Sequence, residues 1–155
     1  MTDITHILSQ ERTRNDVAAR SRKRVLEKAS DLLCEGNEQL SGRTLFDELL
    51  ARERLGSTGL GDGVAIPHCR IACDEIRAAF LKLKEPIDYD APDGQPVDLL
   101  FVFVVPTAEN HAHLEVLADL ARIFGEPDNR ARLRCATSST ELYEELIGLI
   151  ASLAA

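Results

Sequence analysis

Val25, Leu26, Ala29, Leu32 and Leu33 recur at helical spacing, with Ser21 placed to cap the run and Gly36-Asn37 to stop it, which predicts a first helix. Leu45, Phe46, Leu49 and Leu50 share one face of a second, opened by the capping signature Thr44-x-x-Asp47 and closed before Gly56. The pattern then changes. A glycine-rich stretch, 56–63, runs into the β-branched segment Val64-Ala65-Ile66, which Pro67 halts, so His68 is expected at a strand edge or turn. Two further strands are expected at 76–84 and 97–105, separated by turn-rich residues 88–94. The second is apolar at nearly every position, as in a strand buried on both faces. After Pro106 helical spacing returns. Leu114, Leu117, Ala118, Ala121 and Phe124 form one stripe with Gly125 as its stop, which puts His113 in a first turn. A short helix is expected at 128–134, and the capping box Ser138-x-x-Glu141 opens a last helix bearing Leu142, Leu146, Ile147 and Ile150.

Helices mixed with strands, one of them apolar on both faces, predict an α/β protein in three layers, α/β/α, with a central sheet flanked by helices. No internal repeat, linker or low-complexity tract divides the chain, so residues 1–155 are expected to form a single domain. The balance of 18 Lys+Arg against 26 Asp+Glu, a formal charge of -8, argues against a nucleic-acid partner. The basic cluster Arg20, Arg22, Lys23, Arg24 and Lys28 reads as a solvated helix face. The apolar run 99–105 is far short of the roughly 20 residues a membrane-spanning helix needs, so no membrane insertion is expected. Residues 1–15 carry no apolar run of the kind that directs secretion, and a cytoplasmic location is expected. Cys34, Cys69, Cys73 and Cys135 are accordingly read as reduced thiols.

Three chemistries compete for the glycine-rich stretch and its neighbours. Nucleotide binding needs a glycine cluster that follows a strand and opens a helix, whereas this one follows a helix and enters a strand. A metal site could draw on His68, Cys69, Cys73, His111 and His113, but neither a paired C-x-x-C nor an H-E-x-x-H occurs, and no metal or other cofactor is expected. What remains is either a plain structural turn or a backbone cradle for a small anion. His68 gains interest from its setting, behind a proline that fixes the backbone and a loop rich in amide donors. A neutral imidazole is a good nucleophile, and phosphoryl transfer to it needs mainly positioning and stabilisation of the equatorial oxygens. The candidate stabilisers are Arg52, the Ser57 and Thr58 hydroxyls, the loop amides around Gly59, and His113.

The residues Arg52-Glu53-Arg54-Leu55-Gly56-Ser57-Thr58-Gly59, followed by Gly63-Val64-Ala65-Ile66-Pro67-His68, resemble the signature of the fructose/mannitol-type enzyme IIA domains of the bacterial phosphotransferase system. Gln95-Pro96-Val97-Asp98-Leu99-Leu100-Phe101 and His113-Leu114-x-x-Leu117 extend the resemblance in order along the chain. Within that family the chain looks most similar to the stand-alone nitrogen-regulatory type. The resemblance implies a mannitol-type IIA fold with a mixed sheet, and a phosphoryl group taken by His68 through Nε2 from a phosphorylated HPr-like carrier. It implies Arg52 and His113 beside the phosphohistidine, and regulated targets such as potassium transporters or sensor kinases. A sugar-specific IIA component that hands phosphate to a separate IIB protein is the alternative within this chemistry. A non-phosphorylated binding module on the same fold is the alternative outside it. His111 has no counterpart role. Cys69 stands where the family most often has glycine, which raises the expectation of an oxidation-sensitive site if its thiol is exposed and ionised.

Overall fold

A computed structural model describes residues 4–109 and 111–153. In chain order the elements are α1 (Ile4–Ile7), β1 (Thr13–Val17), α2 (Arg22–Cys34), α3 (Gly42–Leu55), β2 (Gly59–Gly61), β3 (Val64–Ala65), β4 (His68–Ile71), β5 (Arg77–Ile87), β6 (Val97–Pro106), α4 (Ala112–Gly125), α5 (Pro127–Cys135) and α6 (Ser139–Leu153). The strands make one mixed sheet in the order β1-β5-β6-β3-β2, with β4 also paired to β6.

Strand β6 explains its own composition. Its alternate side chains Leu99, Phe101, Phe103 and Val105 enter a core shared with α1, α4, α5 and α6, while Leu100, Val102 and Val104 enter a second core under α2 and α3. With both faces covered, positions 99 to 105 must be apolar, and the three-layer arrangement expected from the sequence is what forms.

One edge of β6 is lined in parallel by two short strands. Val64 pairs with Leu99 and His68 with Phe103, the same offset of 35 residues in both cases (99 − 64 and 103 − 68), so the register survives the break at Ile66-Pro67. Pro67 cannot donate an N–H, yet its carbonyl still accepts from the Phe103 amide at 3.0 Å. Strand β2 turns back onto β3 through Asp62 and Gly63, both at positive φ (+58° and +83°), which is the geometry of a two-residue hairpin turn. At Gly63 a Cβ would also collide with an Arg134 Nη atom and lie 3.0 Å from Asp98 Oδ1. The hairpin therefore covers β3, and among the described residues β4 pairs only with β6.

Cations close the carbonyl ends of the helices. Arg77 donates to the Leu33 and Glu35 carbonyls (both 2.6 Å) at the end of α2, and Arg130 to the Phe124 carbonyl (2.8 Å) at the end of α4. Lys82, only 8% exposed, donates from Nζ to the carbonyls of Leu133, Arg134 and Ala136 at 3.2, 3.0 and 2.6 Å, finishing α5. These bonds satisfy carbonyls that a helix terminus leaves without partners, and they set positive charge against the negative end of the helix dipole.

The structure departs from the sequence-based expectations in several places, among them the unexpected short helix α1 and strand β4. Helix α3 begins earlier, capped by Ser41, whose Oγ accepts from the Thr44 amide at 3.4 Å, so Thr44 sits inside the first turn. The buried stripe of α4 is Val116, Leu120, Ile123 and Phe124; Leu117 packs at its edge, and Leu114, Ala118 and Ala121 turn outward. The sheet selects the face that places Phe124 against Phe80, 6.0 Å between ring centroids. Strand β1 was not expected, because Thr-Arg-Asn-Asp-Val carries too little apolar patterning, as an edge strand can. Residues 59–63 form a strand and a hairpin turn rather than an open glycine loop.

Replacing Lys82 by Met leaves three buried or half-buried carbonyls without their donor. It is expected to lower the free energy of urea unfolding by about 1–3 kcal/mol with an unchanged m-value, since hydrogen bonds from a charged group are the stronger class.

Candidate functional site

His68 opens β4 directly after Pro67, and its ring is held on two sides. Its Nδ1 lies 2.7 Å from the Ile66 carbonyl oxygen, which can only accept. Nδ1 therefore carries the proton, and in the neutral ring Nε2 keeps its lone pair. The ring stacks on Phe103, its cross-strand partner, with centroids 4.9 Å apart and planes 7° from parallel. Burial lowers the pKa of His68 below 6.5, and the cationic Arg52, with the nearby His113 ring, acts in the same direction. The Ile66 carbonyl and Glu53 act against this but do not outweigh it. The side chain is thus a neutral imidazole near pH 7.

His68 borders a cleft of about 480 Å³ between α3, β4 and α4. Arg52, from the last turn of α3, reaches its rim and spends one of its donors on the Gly56 carbonyl at 2.8 Å. His113 enters from the first turn of α4. Arg70 comes from β4 itself, two residues beyond His68 and so on the same side of the strand. Glu48 is the acidic lining residue, and Leu55 and Val105 supply apolar wall. Two guanidinium groups against one carboxylate make a cationic hollow on a chain of formal charge -8, suited to an anion.

The structure brings His68, Arg52 and His113 together but not Ser57, Thr58 and Gly59. Thr58 is buried, and both its amide (3.2 Å) and its hydroxyl are given to the Glu53 carboxylate. Tyr89 donates its phenol to the same group at 2.9 Å, and Arg22 approaches it at 3.9 Å while lying over the Tyr89 ring. Burial and the Glu53 carboxylate hold the Tyr89 hydroxyl well above its ordinary pKa. Ser57 Oγ accepts from the Gly59 amide at 3.1 Å, and Gly59 pairs with Ala65, where an added Cβ would meet Ala91 Cβ at 3.0 Å. These residues brace the hairpin that leads to His68 and do not line the cleft. Arg22 belongs to this brace as well as to the basic helix face.

Sequence reasoning missed Arg70 and Glu53. The period-2 rule would have placed Arg70 beside His68 had 68–71 been read as a strand. No pattern announces that Glu53, one residue after the rim cation Arg52, is 2% exposed.

Cys69 borders the cleft, but its place on β4 is opposite to that of His68, and it packs into the core under α2 and α3. Burial, followed by Glu48 and Cys73, pushes its thiol up to about 12, so almost no thiolate exists near neutrality. The oxidation-sensitive site that Cys69 suggested lacks its chemical basis. His111 is exposed at the start of α4.

The fold is shared with known phosphotransferase proteins. The mannitol IIA crystal structure from Escherichia coli superposes with a TM-score of 0.73 at 21% identity, over 89% of this chain and 97% of that one. A crystal structure of the nitrogen regulatory protein IIA-Ntr from Neisseria meningitidis is similar at a TM-score of 0.86 and 42% identity, over 95% of this chain and 98% of that one. Residues 6–148 match the family described as phosphoenolpyruvate-dependent sugar phosphotransferase system, EIIA 2. A nitrogen regulatory protein of Pseudomonas aeruginosa is 43% identical over 148 residues, covering 95% of this chain and 96% of the relative. The chain belongs to the EIIA 2 family of the phosphotransferase system.

Two measurements test the site geometry. In an NMR titration the His68 ring is expected to protonate with a midpoint below 6.5, and when neutral to carry its proton on Nδ1. Because its folded pKa is lowered, the unfolded chain takes up a proton first as pH falls through 6.5, and His68 costs stability only below that point. With a thiol-specific alkylating reagent at pH 7.5, exposed Cys135 is expected to react well before Cys69.

Proposed function

We propose that this chain is a cytoplasmic phosphocarrier of the nitrogen-regulatory type, a single IIA domain that takes a phosphoryl group on His68 from a phosphorylated HPr-like carrier and controls target proteins by its phosphorylation state. The observation that carries the reading is the tautomer of His68: with Nδ1–H committed to the Ile66 carbonyl, Nε2 is a bare nucleophile at the edge of a cationic cleft. In the transfer the Nε2 lone pair forms the new P–N bond as the bond from phosphorus to the donor histidine breaks, and the electron pair of that bond returns to the donor ring. The Nδ1 proton of His68 stays in place, so no base is needed on the acceptor side. The Arg52 fork meets phosphoryl oxygens, and His113 donates a hydrogen bond.

The rim suits a protein partner. Leu55, 85% exposed, borders the cleft, and Leu114, 54% exposed, follows His113 on α4. Such apolar positions around a polar centre fit docking of a convex protein surface. A phosphoryl group in this cleft places nearly two negative charges among those contacts, enough to favour or repel a partner without refolding the chain. The nitrogen-regulatory assignment follows the relatives at 42% and 43% identity, and the targets proposed are those the family resemblance implies, potassium-transport proteins and sensor kinases. Described residues include no helix long and apolar enough to cross a membrane.

The test is incubation with phosphoenolpyruvate, enzyme I and an HPr-like carrier, followed by assay for acid-labile phosphate on the chain. Wild type is expected to be labelled and His68→Ala unlabelled; absence of label with several cognate carriers, or label persisting in His68→Ala, overturns the reading. Arg52→Ala is expected to fold normally and transfer more slowly, by about 2–4 kcal/mol of transition-state stabilisation.

A further inference from the structure

We infer that Arg70 is a positioning residue for the cleft: it holds His113 with Nδ1 as acceptor, so that Nε2–H is the donor offered to the phosphoryl oxygens. The inference deepens the phosphocarrier reading and rests on it. Arg70 lies two positions beyond His68 in β4, and its guanidinium spans from that strand to the start of α4. Nη1 donates to the Glu109 carbonyl and, at 3.4 Å, to the Pro106 carbonyl; Nη2 lies 3.4 Å from His113 Nδ1.

The last contact has only one possible direction. A guanidinium has no lone pair to offer and stays protonated at any pH a protein survives, so Nη2–H donates and His113 Nδ1 accepts. An imidazole whose Nδ1 accepts carries its ring proton on Nε2. His68 has the reverse arrangement, with Nδ1–H donating to Ile66 and Nε2 bare. The two histidines of the cleft are thus held in opposite tautomers by different partners, one as the nucleophile and one as the hydrogen-bond donor. Without a partner at Nδ1, His113 is free to move its proton there and present a second lone pair to an anion.

Arg70 also fixes where that donor stands. The Glu109 carboxylate caps α4 by accepting from the amides of His111 (3.1 Å) and Ala112 (2.9 Å), and the Glu109 carbonyl is held by Arg70. One side chain therefore ties the helix start that carries His113 to the strand that carries His68. Because both Nη atoms are engaged by protein acceptors, orienting His113 accounts for Arg70 better than direct capture of the phosphoryl group does.

The test combines long-range proton–nitrogen NMR of the imidazoles at about pH 8, where ordinary histidines are neutral, with single-turnover transfer from the isolated phosphorylated carrier. It compares wild type with Arg70→Met, Arg70→Lys, His113→Ala and the double variant Arg70→Met/His113→Ala. Wild-type His113 is expected to show the Nε2–H tautomer, and Arg70→Met a mixture. Arg70→Met is expected to slow transfer about tenfold through lost orientation, Arg70→Lys less so, and adding His113→Ala to Arg70→Met to change the rate no more than about twofold. Three results overturn the inference: a proton on Nδ1 of wild-type His113, an unchanged tautomer in Arg70→Met, or rate losses of Arg70→Met and His113→Ala that multiply in the double variant. A wild type that takes no phosphoryl group refutes the phosphocarrier reading instead, and the tautomer measurement stands apart from that failure.

Discussion

The pairing of β6 with β3 and β4 across Pro67 is the constraint on which the rest of the site depends. Because the register does not slip there, His68 falls opposite Phe103, Cys69 opposite Val104 and Arg70 opposite Val105. Alternation along a strand then assigns each side chain its environment: His68 and Arg70 to the cleft, Cys69 to the core. A slip of one residue would put the thiol on the face that now carries the imidazole and bury the imidazole among Val102, Val104 and Leu100. The proline ends the hairpin's cover at β3, so the strand that bears the proposed acceptor remains at an edge.

The distribution of positive charge follows a second logic. The chain is acidic, yet several of its cations are turned inward, with Arg77, Arg130 and Lys82 on helix carbonyls and Arg22 on Glu53. Arg52 and Arg70 do similar work, on the Gly56 carbonyl and on the 106–109 turn, while bordering open space. Each is partly immobilised by the backbone before any ligand arrives, which reduces the ordering cost of the cleft, whether the cation meets an anion, as proposed for Arg52, or orients His113, as inferred for Arg70.

Much of this was legible in the sequence. The β6 run showed burial on both faces, the Ser21 and Ser138 caps act as expected, with Oγ accepting at 3.1 and 3.0 Å, and Arg52, His68 and His113 do converge. What was illegible depended on tertiary pairing. Thr58 reads as a free hydroxyl beside a glycine loop until a buried carboxylate claims it. Glu53 reads as helix surface, since nothing local distinguishes a charge that will be enclosed by Tyr89, Thr58 and Arg22. The phase of α4 was misjudged because small residues such as Ala118 and Ala121 fit either face, and the sheet decides between them.

The near-parallel stack of His68 on Phe103 sets a line of approach. An imidazole nitrogen attacks along its lone pair, which lies in the ring plane, and that plane is parallel within 7° to a phenyl ring anchored in the central strand. With the Ile66 contact opposing rotation of the ring, an electrophile meets Nε2 along a direction fixed in the frame of the sheet. For the proposed acceptor, that geometry favours a donor that comes in edge-on to the imidazole. Under the proposed function, a partner's surface must then be convex enough to bring its phosphoryl group to that edge.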